Sequence, residues 1–404
     1  MYLTHLSLTN FRNFTRLDID VPRGPLLLVG SNAQGKTSLL EAIYYLATFV
    51  SSHAASDREL INFLAGREPL AVTRIVADFQ RGITRRRIEV RLIQEQNGFN
   101  GPRVRKEVLL DGVKQKLSEV VGVFNAVLFL PQMLRVVEGS PEERRRFLNL
   151  AIAQIFPQYA QALVEYNRIL SQRNALLKQL AERSGDPHQL SFWDEQLAST
   201  GGLIILARVH ALQELEQVGA GLHYELTRGQ EVLRLVYQPS YDPLPEQPNQ
   251  YRLPMDPPAN RSMISLDKIR QGFQEHLARK RSDDISRGLT TAGPHRDEFR
   301  FLSNGIDLGV YGSRGQVRTS MLALKLAEVT WIKEKTHEWP VLLLDEVLAE
   351  LDDQRRDDLL TRLVNSEQSI LTTTDLDLFS EQFVNRAYLW TVQMGRLQEV
   401  KREL

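Results

Sequence analysis

The stretch Gly30-Ser31-Asn32-Ala33-Gln34-Gly35-Lys36-Thr37 has the spacing G-x-x-x-x-G-K-[ST]. Its glycines let the backbone wrap until successive N–H groups face one anion. Lys36 then reaches the outer phosphates of a nucleotide, and Thr37 offers a hydroxyl to Mg²⁺. A second element, Leu343-Leu344-Asp345-Glu346, ends an apolar run in two acids. At the carboxyl edge of a strand, Asp345 can hold Mg²⁺ through water and Glu346 can polarise an attacking water. Read alone, such a pair is a solvated turn; beside a phosphate-binding loop it is the expected partner. A third, Ser313-Arg314-Gly315-Gln316, precedes an apolar-periodic helix through Met321, Leu324 and Ala327. A Ser and a Gly at a helix N-terminus make either an anion site or an ordinary cap.

The flanking segments supply the scaffolding these groups need. The first 30 residues alternate apolar and polar, as paired strands do, followed by the apolar run Pro25–Val29 ending at Gly30. A helix is predicted from Lys36, with Leu39, Leu40, Ile43 and Leu46 on its buried face. Residues 72–118 read as a β-meander, with Ile88, Val90 and Leu92 on one strand face and Arg85, Arg87, Glu89 and Arg91 on the other. Asn97-Gly98 and Asp111-Gly112 are hairpin-turn pairs. From Ser140 the period becomes helical, with Ser140, Pro141 and Glu143 forming a capping box. Gly185-Asp186-Pro187 breaks that pattern, and a second helical stretch runs from Trp193 to Leu226. The Pro-, Asn- and Gln-rich segment from Gln238 to Pro258 reads as a loop. Apolar strands return at Val341–Leu344 and Ser369–Thr373.

Composition sets outer bounds. With 404 residues, 42% hydrophobic and 25% charged, the chain has the profile of a globular protein of two or three units, not of a disordered or fibrous one. No cysteines are present, so a disulfide framework, a thiolate zinc site and cysteine catalysis are excluded. No apolar run approaches a membrane span and no signal peptide is visible at Met1-Tyr2-Leu3, so a cytoplasmic location is expected. Fifty basic against fifty acidic residues give zero net charge, which conceals segregation. Residues 81–106 carry eight basic and two acidic residues, whereas residues 341–360 carry seven acids and two arginines. A basic stripe through Arg85, Arg87, Arg91 and Arg105 would bind DNA through phosphates, with little sequence preference and strong salt dependence. Arg144–Arg146 and Arg279–Arg281 are alternative contacts, and a solvated strand face is the plainer reading of the stripe.

The order of the three chemical motifs resembles that of ABC-type ATPase heads, and further motifs narrow the resemblance to the RecF family, relatives of SMC proteins. These are Asn10-Phe11-Arg12-Asn13, Asn32 in the loop, Gly139-Ser140-Pro141 with Arg144–Arg146, Tyr166-Asn167-Arg168 with Gln172-Arg173-Asn174, and Gly293-Pro294-His295-Arg296-Asp297. The resemblance implies an α/β ATPase head, a P-loop NTPase with a mixed sheet and a β-meander. Residues 1–125 and 285–404 would form it, and a mainly helical lobe, residues 126–284, would be inserted. It also implies an ATP-dependent homodimer in which Gly30, Asn32, Gly35, Lys36, Thr37 and Ser38 bind ATP and Mg²⁺, the latter with Asp345. Ser313 and Gly315 would serve the nucleotide of the other subunit, Asp352 would belong to a D-loop, and Gln132 would act as a Q-loop residue. Arg12 either touches nucleotide or pins the first strands. The partners implied are duplex DNA, single-strand/double-strand junctions, RecR and RecO, with weak DNA-stimulated ATP hydrolysis.

The family pattern is departed from after Thr372-Thr373-Thr374-Asp375, where transporter ATPases carry a switch histidine and this chain has Thr374 or Asp375. His295 reads either as catalytic or as part of a local cap. An ABC-transporter ATPase subunit and a non-hydrolysing ATP-gated scaffold are the competing functions.

Overall fold

The computed structural model describes residues 1–97, 101–183, 185–244, 258–393 and 395–400. It divides into two compact units, Met1–Met133 with Ile332–Leu404, and Leu134–Trp331. The expected boundaries at 125 and 285 therefore shift to 133 and 331. The physical reason for the second shift is pairing: strand Glu298–Ser303 bonds to Leu233–Gln238, and Trp331 Nε1 donates to Glu214 at 2.6 Å. The segment 285–331, signature motif included, therefore packs with the second unit.

The first unit holds two six-stranded sheets. One is antiparallel, ordered Phe14–Asp20, Tyr2–Phe11, Leu70–Arg81, Thr84–Asn97, Gly101–Leu110 and Val113–Gln115. Within it, Asp111 and Gly112 both take positive φ, 52° and 82°, as a two-residue primed turn requires. Gly98, of the other turn pair expected from sequence, lies outside the described residues. The second sheet is ordered Arg396–Glu399, Tyr388–Gln393, Gly24–Val29, Gln368–Thr373, Val341–Asp345 and Ala126–Phe129, all parallel except the first. Leu26, Leu27 and Leu28 are fully buried, and so are Val341 and Leu343. Such unbroken apolar strands are what a parallel sheet covered on both faces selects. Its carboxyl edge gathers the ends of strands from distant parts of the chain, the usual place for a site in this architecture.

The second unit is built on helices Pro157–Arg183, Leu190–Leu226 and Leu266–Arg287, with a three-stranded sheet of Ile306–Asp307, Glu298–Ser303 and Leu233–Gln238. Neither that sheet nor the helix Leu266–Arg287 is evident from sequence periodicity. Most of the expected loop after Gln238 lies outside the described residues. Buried charge pins the three long helices. Arg173 donates to Asp194 and to Asp284, each at 2.8 Å, and all three side chains are fully buried. Arg281 adds a bond to Asp194 at 2.7 Å, so two cations face two carboxylates. Removing one member of such a set strands a charge without solvent. Arg173→Met is accordingly expected to destabilise the protein by about 3–5 kcal/mol, read as a lowered urea midpoint.

Candidate functional site

Two glycines shape the loop after strand Gly24–Val29. A Cβ at Gly30 would stand 2.5 Å from the Val392 carbonyl oxygen, and Gly35 has φ of 114° with Asn13 Nδ2 2.6 Å from where a Cβ would be. The helix Lys36–Thr48 follows with no side-chain cap, so its first N–H groups stay available to an anion. Lys36 is almost wholly buried. Its ammonium donates to the carbonyls of Gly30 at 2.5 Å and Ser31 at 3.1 Å and pairs with Glu346 at 3.3 Å.

Across the sheet edge, Thr37 Oγ1 donates to the Asp345 carboxylate, with Oδ1 at 3.0 Å and Oδ2 at 2.9 Å. Asp345 lies in register with Thr372 on the neighbouring strand. The Thr372 hydroxyl donates to Asp345 Oδ1 at 2.7 Å and accepts from the Glu346 N–H at 3.1 Å. Glu346 takes φ of 52°, an unfavourable conformation for a side-chain-bearing residue, and that bond helps hold it there. A hydroxyl beside a carboxylate is a hard-oxygen donor set that suits Mg²⁺, which takes few protein ligands and completes its shell with water and phosphate.

Gly35, Lys36, Thr37, Asp345 and Glu346 line one cleft of about 810 Å³, together with Arg12, Asn13, Asn32, Ser38 and Gln132. Gln132 reaches it from the turn Pro131–Leu134 after strand Ala126–Phe129. Arg12 borders the cleft while its guanidinium is bidentate on Glu41, at 2.8 Å for both bonds, and Ser51 Oγ donates to the same carboxylate at 2.5 Å. Sequence reasoning missed Glu41 and Thr372. A lone acid inside the apolar helix Lys36–Thr48 was a signal that Glu41 must be paired. The run Thr372-Thr373-Thr374 offered nothing to single out one hydroxyl.

Other expected site residues lie elsewhere. Asp352 does not line the cleft; it caps the helix Asp353–Val364, accepts from Arg355 N–H at 2.9 Å and pairs with the Arg355 guanidinium. At the expected switch position Thr374 is exposed and Asp375 caps the next turn by accepting from Asp377 N–H at 2.9 Å. The polar side chain beside the acidic pair is instead Thr372. Ser313 and Gly315 stand exposed at the start of the helix Arg314–Thr336, in the second unit.

The basic stripe is sorted by the pleat. Arg85, Arg87 and Arg91 share a sheet face with Arg105, each beside a carboxylate: Asp78 for the first two at 3.1 and 3.7 Å, Glu89 for Arg91 at 2.6 Å, and Glu107 for Arg105 at 2.8 Å. Arg81, Arg86 and Lys106 alternate to the other face, where Arg81 donates to the Gly122 and Val123 carbonyls, Arg86 pairs with Asp111 and Lys106 with Asp57. Of the alternative clusters, Arg144 is buried against Glu298 and Arg281 bonds to Asp194, so both serve packing.

A phosphate-binding loop and a strand-end acid pair on this sheet, with an exposed signature motif at a helix start in the second unit, define a nucleotide-binding head of the SMC type. Residues 2–396 match the family model described as RecF/RecN/SMC N terminal domain. The chain is 39% identical to the DNA replication and repair protein RecF of Roseiflexus castenholzii over 98% of this chain and 99% of that one. It is 36% identical to the Bacillus subtilis RecF over 98% and 100%. A structure described as the recombination mediator protein RecF-ATPrS in the RecFOR pathway superposes with a TM-score of 0.82 at 30% identity, covering 99% of this chain and 98% of that one. An SMC head bound to the C-winged helix domain of ScpA, at 14% identity and a TM-score of 0.51 over 100% and 98% of the two chains, shares the fold alone. The chain belongs to the RecF family.

His295 lies in the second unit, where the ring joins Tyr166 Oη through Nδ1 at 2.7 Å and the Thr290 carbonyl through Nε2 at 3.1 Å. Burial pushes its pKa down from 6.5 to about 4. Between those values the unfolded chain binds a proton that the native protein refuses. Stability from this residue is thus complete above pH 6.5 and falls as the pH drops toward 4, by about 3 kcal/mol in all. His295→Gln is expected to flatten that acid limb in urea unfolding followed from about pH 7 to about pH 4.5.

Proposed function

We propose that the chain is an ATP-hydrolysing, DNA-binding recombination mediator in which ATP joins two copies. The observation that carries this reading is the contact of Thr37 with Asp345, which unites motifs 308 residues apart in one metal- and phosphate-competent cleft. ATP takes over the ammonium of Lys36 from the Gly30 and Ser31 carbonyls, and the Glu346 carboxylate is thereby released to orient water. Thr37 and Asp345 would hold Mg²⁺, which would supply charge neutralisation at the phosphates. Ser313 and Gly315 of the second copy meet the terminal phosphate, and Gln132 and Asp352 follow the nucleotide state at the cleft and at the junction of the copies. Arg12 keeps its place through Glu41.

ATP favours the joined state only through its greater affinity for that state, so hydrolysis acts as a timer for release. Duplex DNA near gaps and junctions is gripped through the face bearing Arg85, Arg87, Arg91 and Arg105. The guanidinium groups on that face are exposed while their carboxylate partners are largely covered, and phosphate competes for those guanidinium groups. RecO and RecR are its partners in loading recombinase during repair and the SOS response; solved relatives described as recombination mediators in the RecFOR pathway support a mediator role. No helix among the described residues is long and apolar enough to cross a membrane.

Sedimentation velocity tests the nucleotide step. Wild type is expected to dimerise with ATP and Mg²⁺ and Lys36→Met to stay monomeric. Glu346→Gln is expected to remain dimeric while turnover falls by about a hundredfold or more. A wild type that stays monomeric with ATP contradicts the proposal. For DNA, the double variant Arg85→Ala/Arg87→Ala should lower the slope of log affinity against log salt by about 2 in magnitude, and salt-insensitive wild-type binding contradicts the phosphate-contact reading.

A further inference from the structure

Ser313-Arg314-Gly315-Gln316 is, in physical terms, a capping box. Ser313 Oγ accepts from the Gln316 N–H at 3.2 Å, and Gln316 Oε1 accepts from the Ser313 N–H at 3.0 Å. A carboxamide has two different ends, and the box uses only the oxygen. The Gln316 Nε2 donates at 3.1 Å to Oε1 of Glu231, a residue 85 positions earlier that lies just before strand Leu233–Gln238. The second Glu231 oxygen accepts from Ser303 Oγ at 2.7 Å and lies 3.8 Å from Nε2 of the buried His223, itself 3.1 Å from Ser320 Oγ. One acid thus ties the start of the signature helix to the strand Glu298–Ser303 and to the helix Leu190–Leu226.

An ionised carboxylate accepts and cannot donate. Glu231 therefore leaves Gln316 a single orientation, nitrogen toward the acid and oxygen toward Ser313. With one lone pair engaged by the Gln316 N–H, the Ser313 hydroxyl keeps its one hydrogen for an outside acceptor, and Ser313, Arg314 and Gly315 are all exposed. We infer that Glu231 is a positioning residue for the nucleotide reaction: it orients Gln316, and through Gln316 presents the Ser313 hydroxyl to the terminal phosphate of a nucleoside triphosphate held by a second copy. This rests on the reading that Ser313 acts across the two copies.

A charge swap tests it. Gln316→Glu places one carboxylate against another and opens the box. ATP-dependent dimerisation should then weaken about tenfold or more, while binding of a fluorescent ATP analogue by the monomer is unchanged. Adding Glu231→Gln returns a donor to face the new carboxylate, and dimerisation should recover to within about threefold of wild type, a rescue that lost packing alone would not allow. If Gln316→Glu is folded by thermal melting and dimerises like wild type while Ser313→Ala does not, the role of Glu231 is overturned. The same holds if the double variant is folded yet stays as defective as the single. Should Gln316→Glu fail to fold, Glu231→Ala carries the test, with unchanged dimerisation overturning the inference and a selective loss upholding it. A Ser313→Ala variant that dimerises and turns over like wild type removes the underlying reading instead.

Discussion

The bond from Thr37 Oγ1 to Asp345 is the constraint on which the cleft of the first unit depends. Its two residues stand 308 positions apart, and loop-closure entropy opposes any such contact in the free chain. What makes it routine is the parallel sheet, whose register sets Val29 beside Thr373 and Asp345 beside Thr372. Once the apolar strands are stacked in that order, the loop and the acid pair emerge on the same edge without further adjustment. The left-handed backbone at Glu346 and the buried ammonium of Lys36 are local costs that the stacked strands carry.

Polar groups do a comparable job in the second unit. Arg173 with Asp194 and Asp284, Arg208 with Asp297, and Arg144 with Glu298 are ion pairs buried or nearly so. Several of the residues that carry the family resemblance, among them Arg144, Arg173, His295 and Asp297, turn out to be members of this internal network. Their chemistry is that of holding helices and turns in place, and the Arg–carboxylate geometry specifies which turns of which helices meet.

Much of this was legible in the chain. The apolar run before Gly30, the Pro at the start of the helix Pro141–Ala153, the Asp111-Gly112 turn and the alternation at Ile88, Val90 and Leu92 each express a short-range rule. The structure places all of them accordingly. The failures have two causes. The helix Leu266–Arg287 is highly charged, and only Ile269, Phe273, Leu277 and Asp284 are buried on it, so its apolar stripe is too thin to stand out. The unit boundary at 331 depends on cross-strand pairing between segments about sixty residues apart, which no local pattern encodes.

The sequence by itself determined which groups are available for chemistry: a lysine and threonine after two obligatory glycines, an acid pair ending an apolar strand, and a serine and glutamine spaced to cap a helix. These follow from backbone sterics and residue type, which act over a few positions. Tertiary structure alone decided which of many similar side chains are coupled. It chose Thr372 over Thr373 and Thr374, tied Arg12 to Glu41, and set Glu231 against Gln316. Those choices depend on strand register and helix placement, and register is settled by the summed burial of whole strands, so no single residue announces it.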